Sequence, residues 1–265
     1  MEIKALVAVR SGSMRVKNKN IRPFAGSTLL EVKLAQLKRI DALDGIIVNS
    51  NDPHMLEIAQ SMGCETVLRD PYYASNSVSM SDVYKNMAES CTCDVIAYIN
   101  ATNPLLEDKT IEEAISEYKR MVEDGVYDSL NSAHLVKEFL FKDNLPINYD
   151  LRHQPRSQDL PDIAALNFAI NIISREKMIE CKNVVGYHPN IYLIDEVEAT
   201  DIDNPIDFDF AEFVYKRKLA VGGANSERVI SICWFKSKAG HRFEKAVAEL
   251  KLNIVFPSRP LLKSA

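Results

Sequence analysis

The sequence predicts an α/β fold, with one mostly parallel β-sheet and helices packed on both of its faces. Short apolar runs alternate with helix-like amphipathic segments from residue 3 to residue 133, and this alternation is typical of a chain of βαβ units. The chain has 265 residues, of which 46% are hydrophobic. This length is enough for one sizeable core with a small subdomain.

The first two strands and the first helix have clear local signals. Residues 3–9 form a continuous β-capable run that ends at a polar loop. Thr28 and Glu31 have the spacing of a capping box, and the leucines that follow them recur at helical intervals. A second strand is predicted at Gly45–Ser50, which again is apolar and bounded by polar residues.

The alternation continues through the next part of the chain. Asp52 and Pro53 have the order of a helix cap and a first-turn proline, and Gly63 is placed to end that helix. Periodicity then predicts strands at 65–68, 95–99 and 128–133, with helices around 81–89 and 108–123.

Residues 134–165 break this rhythm, because they are rich in prolines and charges. Regular structure is expected to resume with strands at 165–173 and 190–194 and a helix at 205–218. The predicted organisation is therefore a main domain at 1–220, with a small inserted subdomain at 134–190 and a β-α-β-like extension at 221–265 whose role the sequence does not decide.

A basic loop follows the first predicted strand. Its sequence, "RSGSMRVKNKN", places Arg10, Arg15, Lys17 and Lys19 around Gly12 with no acidic residue among them. Ligands of open α/β sheets bind beyond the carboxyl ends of the strands, and backbone N–H groups near a glycine can cradle phosphate oxygens. The loop matches neither G-x-G-x-x-G nor G-K-[ST]. Phosphate binding is favoured over a solvated basic turn.

A second polar motif, "ATDIDNPIDF", occurs at residues 199–208. Asp201 and Asp203 alternate with Ile202, so a strand end would direct both carboxylates to one face. Two such carboxylates repel each other, and a hard cation such as Mg²⁺ removes that cost. Asp207 and Asp209 instead fall at a predicted helix start, where acidic residues favour the helix dipole.

Several motifs, in their order along the chain, resemble those of the CMP-sugar synthetases, the cytidylyltransferases that act on sialic acids and related nonulosonic acids. The basic loop is similar to the family's R-x-G-S-K-x-x-x-x-K-N signature. The further matches are "LRDPYYASNSVSMSDV" (68–83), "INATNPLL" (99–106), "QPRSQDLP" (154–161), "NFAIN" (167–171) and "TDIDNPIDFDFAE" (200–212). The resemblance covers roughly residues 3–218.

The resemblance implies a nucleotide-diphospho-sugar transferase-like, Rossmann-like fold, a homodimer formed through the inserted subdomain, and transfer of CMP from CTP to a 2-keto-acid sugar with Mg²⁺ as cofactor. By matched position it implies catalytic roles for Arg10, Lys19, Asp201 and Asp203. Nucleotide contacts are implied for Arg10, Ser11, Gly12, Ser13, Lys19, Asn20, Arg69, Ser79 and Asn100. Acceptor contacts are implied for Lys142, Arg156, Gln158 and Asn167, and magnesium ligation for Asp201 and Asp203.

Some positions depart from the family pattern. Met14 replaces the first loop lysine, Asn100 replaces a glutamine, and Phe168 replaces the glycine of an Asn-Gly pair. Most departures fall on the acceptor side, so a KDO-like acid or a phosphonate remains an alternative acceptor. Met14 also leaves open a non-catalytic nucleotide-binding regulator, and a structural module is the third alternative.

Composition narrows the class of partner and the compartment. The net charge of −5 argues against a general binder of nucleic acids or membrane surfaces. No apolar run approaches the length of a membrane-spanning helix. The five cysteines lack metal-ligand spacing, so reduced thiols in a cytoplasmic protein are expected.

Overall fold

The computed structural model describes residues 1–13, 15–75 and 77–220. The chain divides into two compact units, Met1–Lys216 and Arg217–Ala265. The predicted extension at 221–265 and the departure at Met14 lie outside the described residues, and the proposed domain bounds stay predictions.

The secondary structure follows the predicted alternation. The strands are β1 (Ile3–Ala8), β2 (Pro23–Phe24), β3 (Ser27–Thr28), β4 (Gly45–Ser50), β5 (Glu65–Leu68), β6 (Val95–Ile99), β7 (Ser129–Val136), β8 (Phe141–Lys142), β9 (Leu145–Pro146), β10 (Ile163–Ser174) and β11 (Pro189–Leu193). The helices are α1 (Leu29–Leu37), α2 (Pro53–Ser61), α3 (Pro71–Ala74), α4 (Met80–Glu89), α5 (Asp108–Asp124), α6 (Arg175–Cys181) and α7 (Pro205–Ala220).

Seven of these strands form one sheet in the order β11-β7-β10-β6-β1-β4-β5. Strand β1 is parallel to β4 and β6, β4 is parallel to β5, and β11 is parallel to β7. Strand β10 is antiparallel to both of its neighbours, β6 and β7. The prediction of a mostly parallel sheet is confirmed.

Helices cover both faces of the sheet, because the side chains of the central strands alternate between two cores. Ala5 and Val7 of β1 pack in a cluster with buried residues of α1, α2 and α5. Leu6, which points the other way, packs with Val83 of α4 and Met178 of α6. Every side chain of β6 is buried, as expected for a central strand covered on both faces.

The helix ends use the capping chemistry that the sequence indicates. The Thr28 hydroxyl accepts a hydrogen bond from the Glu31 amide, and the Asp52 carboxylate accepts one from the His54 amide. Helix α5 ends at Gly125, whose φ of 66° is the left-handed conformation typical of a glycine cap. The caps at Thr28 and Asp52 set where the helices after the basic loop and after β4 begin.

The irregular region between β7 and β10 contains the β8–β9 hairpin and a short 3₁₀ turn at Ser157–Asp159. The hairpin turns at Asp143 and Asn144, both with positive φ. Both flanking strands, β7 and β10, belong to the main sheet. In the described part of the chain, no helix is long and apolar enough to cross a membrane.

Candidate active site

The basic loop begins at the carboxyl end of β1 and is held by its neighbours. The Val9 amide donates to the Asn49 carbonyl of β4 over 3.1 Å. The Ser11 amide donates to the Asn51 side chain, and the Asn51 amide group donates back to the Ser11 hydroxyl. Buried Asn20 donates to the Arg10 carbonyl over 3.4 Å. The loop that includes Ser13 is therefore anchored to β4 on one side and to its own base on the other.

Gly12 has a φ of +83° and open space where a side chain would project. Only glycine adopts this conformation without strain, and the absence of a side chain leaves the backbone of the loop open to a ligand. This geometry suits the predicted phosphate-binding role, which stays a prediction.

Lys19 joins the basic loop to the segment that contains Asp201 and Asp203. Its ammonium group donates to the Ile202 carbonyl, between the two carboxylates that the sequence marks as metal ligands. Burial lowers the pKa of Lys19, while the charges of Asp201 and Asp203 oppose that shift. Arg15 forms an ion pair with Asp203 over 2.7 Å. The predicted phosphate loop and the predicted metal carboxylates thus lie in one cluster.

The two carboxylates differ in their surroundings. Burial raises the pKa of Asp201, and a hydrogen bond with Thr102 and the Lys19 charge oppose that shift. One Asp201 oxygen, Oδ1, is buried and has no hydrogen-bond partner within the described residues. Asp203 is 46% exposed. A buried oxygen without a partner is costly, and a bound cation would remove that cost.

The prediction that Asp201 and Asp203 lie at a strand end is wrong. Strand β11 ends at Leu193, and the two residues lie in an extended loop before α7. The backbone amides of this loop do not pair with a neighbouring strand of the described structure. The Ile202 amide donates to the Thr102 carbonyl, and the Asp203 amide donates to the Asp207 carboxylate. Asp207 lies in the first turn of α7, as predicted.

A cavity of about 350 Å³ lies beside the base of the basic loop. Its walls include Arg10, Arg69, Tyr73 and Met80, with Tyr98 of β6 also in the lining. Arg69 is held in place by two hydrogen bonds to Asn49 of β4, over 2.6 and 3.0 Å. The charge of Asp201 contributes to the raised pKa of Tyr98, which burial dominates.

The other predicted nucleotide residues lie at different places. The Ser79 hydroxyl caps α4, where it accepts from the Asp82 amide and donates to the Asp82 carboxylate. Its neighbours Val78 and Met80 line the cavity. Asn100 directly follows β6, and its amide donates to the Ala169 carbonyl over 3.4 Å. Contacts of Ser79 and Asn100 with a nucleotide stay predictions.

On the acceptor side, Asn167 lies in an irregular part of β10. Its side-chain oxygen accepts from the Ser132 hydroxyl over 2.6 Å, and its side-chain nitrogen is buried with no partner among the described residues. Phe168 follows with a φ of +55°, a conformation that is strained for a bulky residue. The register of β10 against β7 shifts between Leu166 and Asn171, so the bulge absorbs this conformation.

The remaining acceptor-side residues are exposed in the described structure. Lys142 is exposed on the β8–β9 hairpin, and Gln158 is exposed in the 3₁₀ turn. Arg156 is also exposed and pairs with Asp159 over 2.6 Å. All three lie in the insertion between β7 and β10.

The sequence analysis missed three residues that shape the site. Asn49 holds Arg69, Thr102 contacts Asp201, and Tyr98 lines the cavity. Asn49 carried a signal, because it is a polar residue near the end of an apolar strand. Thr102 lies within the matched motif "INATNPLL". Tyr98 had no signal, because its place in the cavity lining depends on contacts between distant segments.

Comparison with known proteins identifies the family. Residues 4–225 match the cytidylyltransferase family. The chain is 24% identical to the post-translational flagellin modification protein B of Campylobacter coli, over 82% of this chain and 96% of that protein. It is 22% identical to the pseudaminic acid cytidylyltransferase of Campylobacter jejuni serotype O:2, over 82% and 97% respectively.

A solved structure supports the fold assignment independently. A CMP:2-keto-3-deoxy-manno-octonic acid synthetase complexed with CTP superimposes with a TM-score of 0.58 at 10% identity, over 82% of this chain and 100% of that one. The family match spans the basic loop, the cavity and the carboxylate pair. This chain belongs to the cytidylyltransferase family and is a nucleotidyltransferase, as its sequence motifs predict.

Proposed function

We propose that this protein transfers the cytidylyl group of CTP to the anomeric hydroxyl of a 2-keto-acid sugar, with release of pyrophosphate. The observation that carries the proposal is the Lys19–Ile202 contact, which joins the basic loop to the segment that carries the carboxylate pair. A cavity of about 350 Å³ lies at the base of the same loop. Arg10 and Lys19 would neutralise the triphosphate, and Arg69 would face the nucleoside. The protein would act chiefly by positioning and by charge stabilisation.

Magnesium is proposed as the cofactor, held by Asp201 and Asp203. The oxygen donors and the unpartnered Asp201 Oδ1 fit a hard cation. Among the described residues no group of three or more acidic, histidine or cysteine side chains converges, so the phosphates would complete the coordination. When bound, the ion would neutralise and orient the phosphates. Lys19 would then exchange its Ile202 contact for a phosphate oxygen.

The proposed acceptor is a nonulosonic acid. The pseudaminic acid cytidylyltransferase relative supports this class, and the unpartnered Asn167 side-chain nitrogen offers a donor to a sugar hydroxyl or acyl oxygen. We also propose that the reaction takes place in the cytoplasm, where CTP is available.

The experiment is a pyrophosphate-release assay with each nucleoside triphosphate, Mg²⁺ and a panel of acids. The panel contains sialic, pseudaminic and legionaminic acids, a KDO-like acid and a phosphonate. Release that requires CTP and a nonulosonic acid supports the proposal. Release with only the KDO-like acid or the phosphonate would reassign the acceptor, and CTP binding without release would favour a regulator.

A homodimer is also proposed, formed through the inserted region. Leu166 of β10 and Leu193 of β11 both pair with Ala133 of β7, and Leu135 lies two residues further along β7. Because paired residues share a face of a sheet, as do residues two apart in one strand, these three exposed leucines form one apolar row. Burial of this row against a second copy would bring the insertion near the partner's site.

Light scattering tests the assembly, and a mixing experiment tests the shared site. Leu166→Glu should yield monomers. Lys19→Ala and Arg156→Ala should each be strongly impaired alone, but a mixed dimer would contain one intact site if Arg156 acts across the interface. Recovery of activity on mixing supports this arrangement, whereas no recovery would place Arg156 in its own protomer's site.

A further inference from the structure

Lys33 is a fully buried lysine in the middle of α1, with 0% of its surface exposed. Its ammonium group donates to the Gln36 side-chain oxygen over 2.6 Å and to the Asn103 carbonyl over 3.1 Å. The proposed reaction does not use it. Burying a lysine is expensive even when it is paired, so its presence calls for a reason.

The contacts of Lys33 lead towards the carboxylate pair. Residues 100–103 form a turn, closed by a hydrogen bond from the Asn103 amide to the Asn100 carbonyl. We call it the Asn103 turn. The Asn103 side chain is buried and donates to the carbonyls of Ala199 and Thr200, over 3.3 and 3.1 Å. The turn thus holds the backbone immediately before Asp201.

The same turn also holds Asp201 itself. The Ile202 amide donates to the Thr102 carbonyl over 3.0 Å, and the Thr102 side chain lies near enough to the Asp201 carboxylate to lower the pKa of that group. Residues 102 and 103 therefore contact the chain on both sides of Asp201. Gln36 braces the opposite end of this loop, since its side-chain nitrogen donates to the Leu106 carbonyl over 2.6 Å.

We propose that Lys33 is a positioning residue that fixes the Asp201 carboxylate through the Asn103 turn. The inference rests on the proposed function for its consequence in catalysis, but the mechanical link can be tested without it. Lys33 acts at a distance and touches neither the predicted metal ligands nor the cavity lining.

A role in positioning and a role in stability make different predictions. Replacing a buried charge with an apolar side chain of similar length often leaves a fold as stable as before, or more stable. Lys33→Met should therefore fold, yet it should lose the link between α1 and the Asn103 turn. A purely structural lysine would alter the melting temperature and leave the geometry around Asp201 unchanged.

The test is amide hydrogen exchange of Ile202 in the protein without metal or nucleotide. Lys33→Met should speed exchange of this amide by about tenfold, while amides of β1 keep their protection. Leu37→Ala, a core substitution in the same helix, is the matched control and should leave Ile202 protection relative to β1 unchanged. Unchanged Ile202 exchange in Lys33→Met would overturn the proposal.

A second readout connects the link to the reaction. The magnesium concentration for half-maximal pyrophosphate release should rise several-fold in Lys33→Met, with the KM for CTP nearly unchanged. Accelerated Ile202 exchange in a protein that releases no pyrophosphate would uphold the link and refute the proposed function. If Lys33→Met fails to fold, Gln36→Met removes one acceptor of the ammonium group, and unchanged Ile202 exchange in that variant overturns the proposal instead.

Discussion

The buried charge of Lys33 should give the protein a pH-dependent stability that one substitution removes. Burial lowers the pKa of Lys33 from 10.5 to about 7, partly offset by the charges of Asp108 and Glu198 and reinforced by Arg39. The unfolded chain keeps this proton up to about pH 10, whereas the folded chain releases it near pH 7. Between these limits the unfolded state binds more protons, so stability rises with pH.

The magnitude follows from the difference between the two pKa values. One bound proton changes the free energy of unfolding by at most about 1.4 kcal/mol per pH unit. Between about pH 7.5 and about pH 8.5, the parent protein should therefore gain about 1 kcal/mol relative to Lys33→Met, because other titrating groups are common to both. Urea unfolding across this range measures the difference, with Leu37→Ala as the control that should parallel the parent. Parallel curves for Lys33→Met and the parent would refute a charge that titrates near neutrality.

The site predicts three further outcomes. Lys19→Ala should weaken CTP binding by about 10- to 150-fold, the contribution of one charge-assisted hydrogen bond. Lys17 is an exposed cation of the same loop, and Lys17→Ala should leave the CTP affinity nearly unchanged. Calorimetry measures both affinities. Asp203→Asn should raise the magnesium concentration that pyrophosphate release requires. Its melting temperature should change by only a few degrees, since the ion pair between Asp203 and Arg15 is largely exposed. An unchanged magnesium titration would contradict metal binding by Asp203. Phe168→Gly should lower stability in urea by no more than about 1–2 kcal/mol, because relief of the left-handed conformation offsets much of the lost ring contact and the added chain entropy. A loss of several kcal/mol would mean that Phe168 is not strained.

Much of the fold could be predicted because its signals are local. The cap at Thr28, the cap at Asp52 and the apolar run of β1 each depend on a few neighbouring residues. The direction of β10 could not be predicted, because hydrophobic periodicity is the same for parallel and antiparallel strands. The bulge of β10 at Phe168 could not be predicted either, since a phenylalanine gives no indication of a positive φ.

The structure brings the basic loop and the Asp201–Asp203 segment together, while the roles predicted for these residues stay predictions. The charges of the basic loop and the spacing of Asp201 and Asp203 indicate their chemistry from the sequence. The assignment of those carboxylates to a strand end failed because capping by Asp207 and the contact with Thr102 fix that segment as a loop. Lys33 could not be identified either, because a lysine in an amphipathic helix is ordinarily exposed.

The contact between Lys19 and Ile202 spans 183 residues of sequence, and this separation has a consequence during synthesis. At about 5–20 residues per second, a ribosome needs roughly 10–40 s to make Ile202 after Lys19. Throughout that interval the nascent chain carries its basic loop without the carboxylates that complete the cluster. Products of premature termination before residue 201 would lack both carboxylates, so under the proposed function we expect them to release no pyrophosphate from CTP.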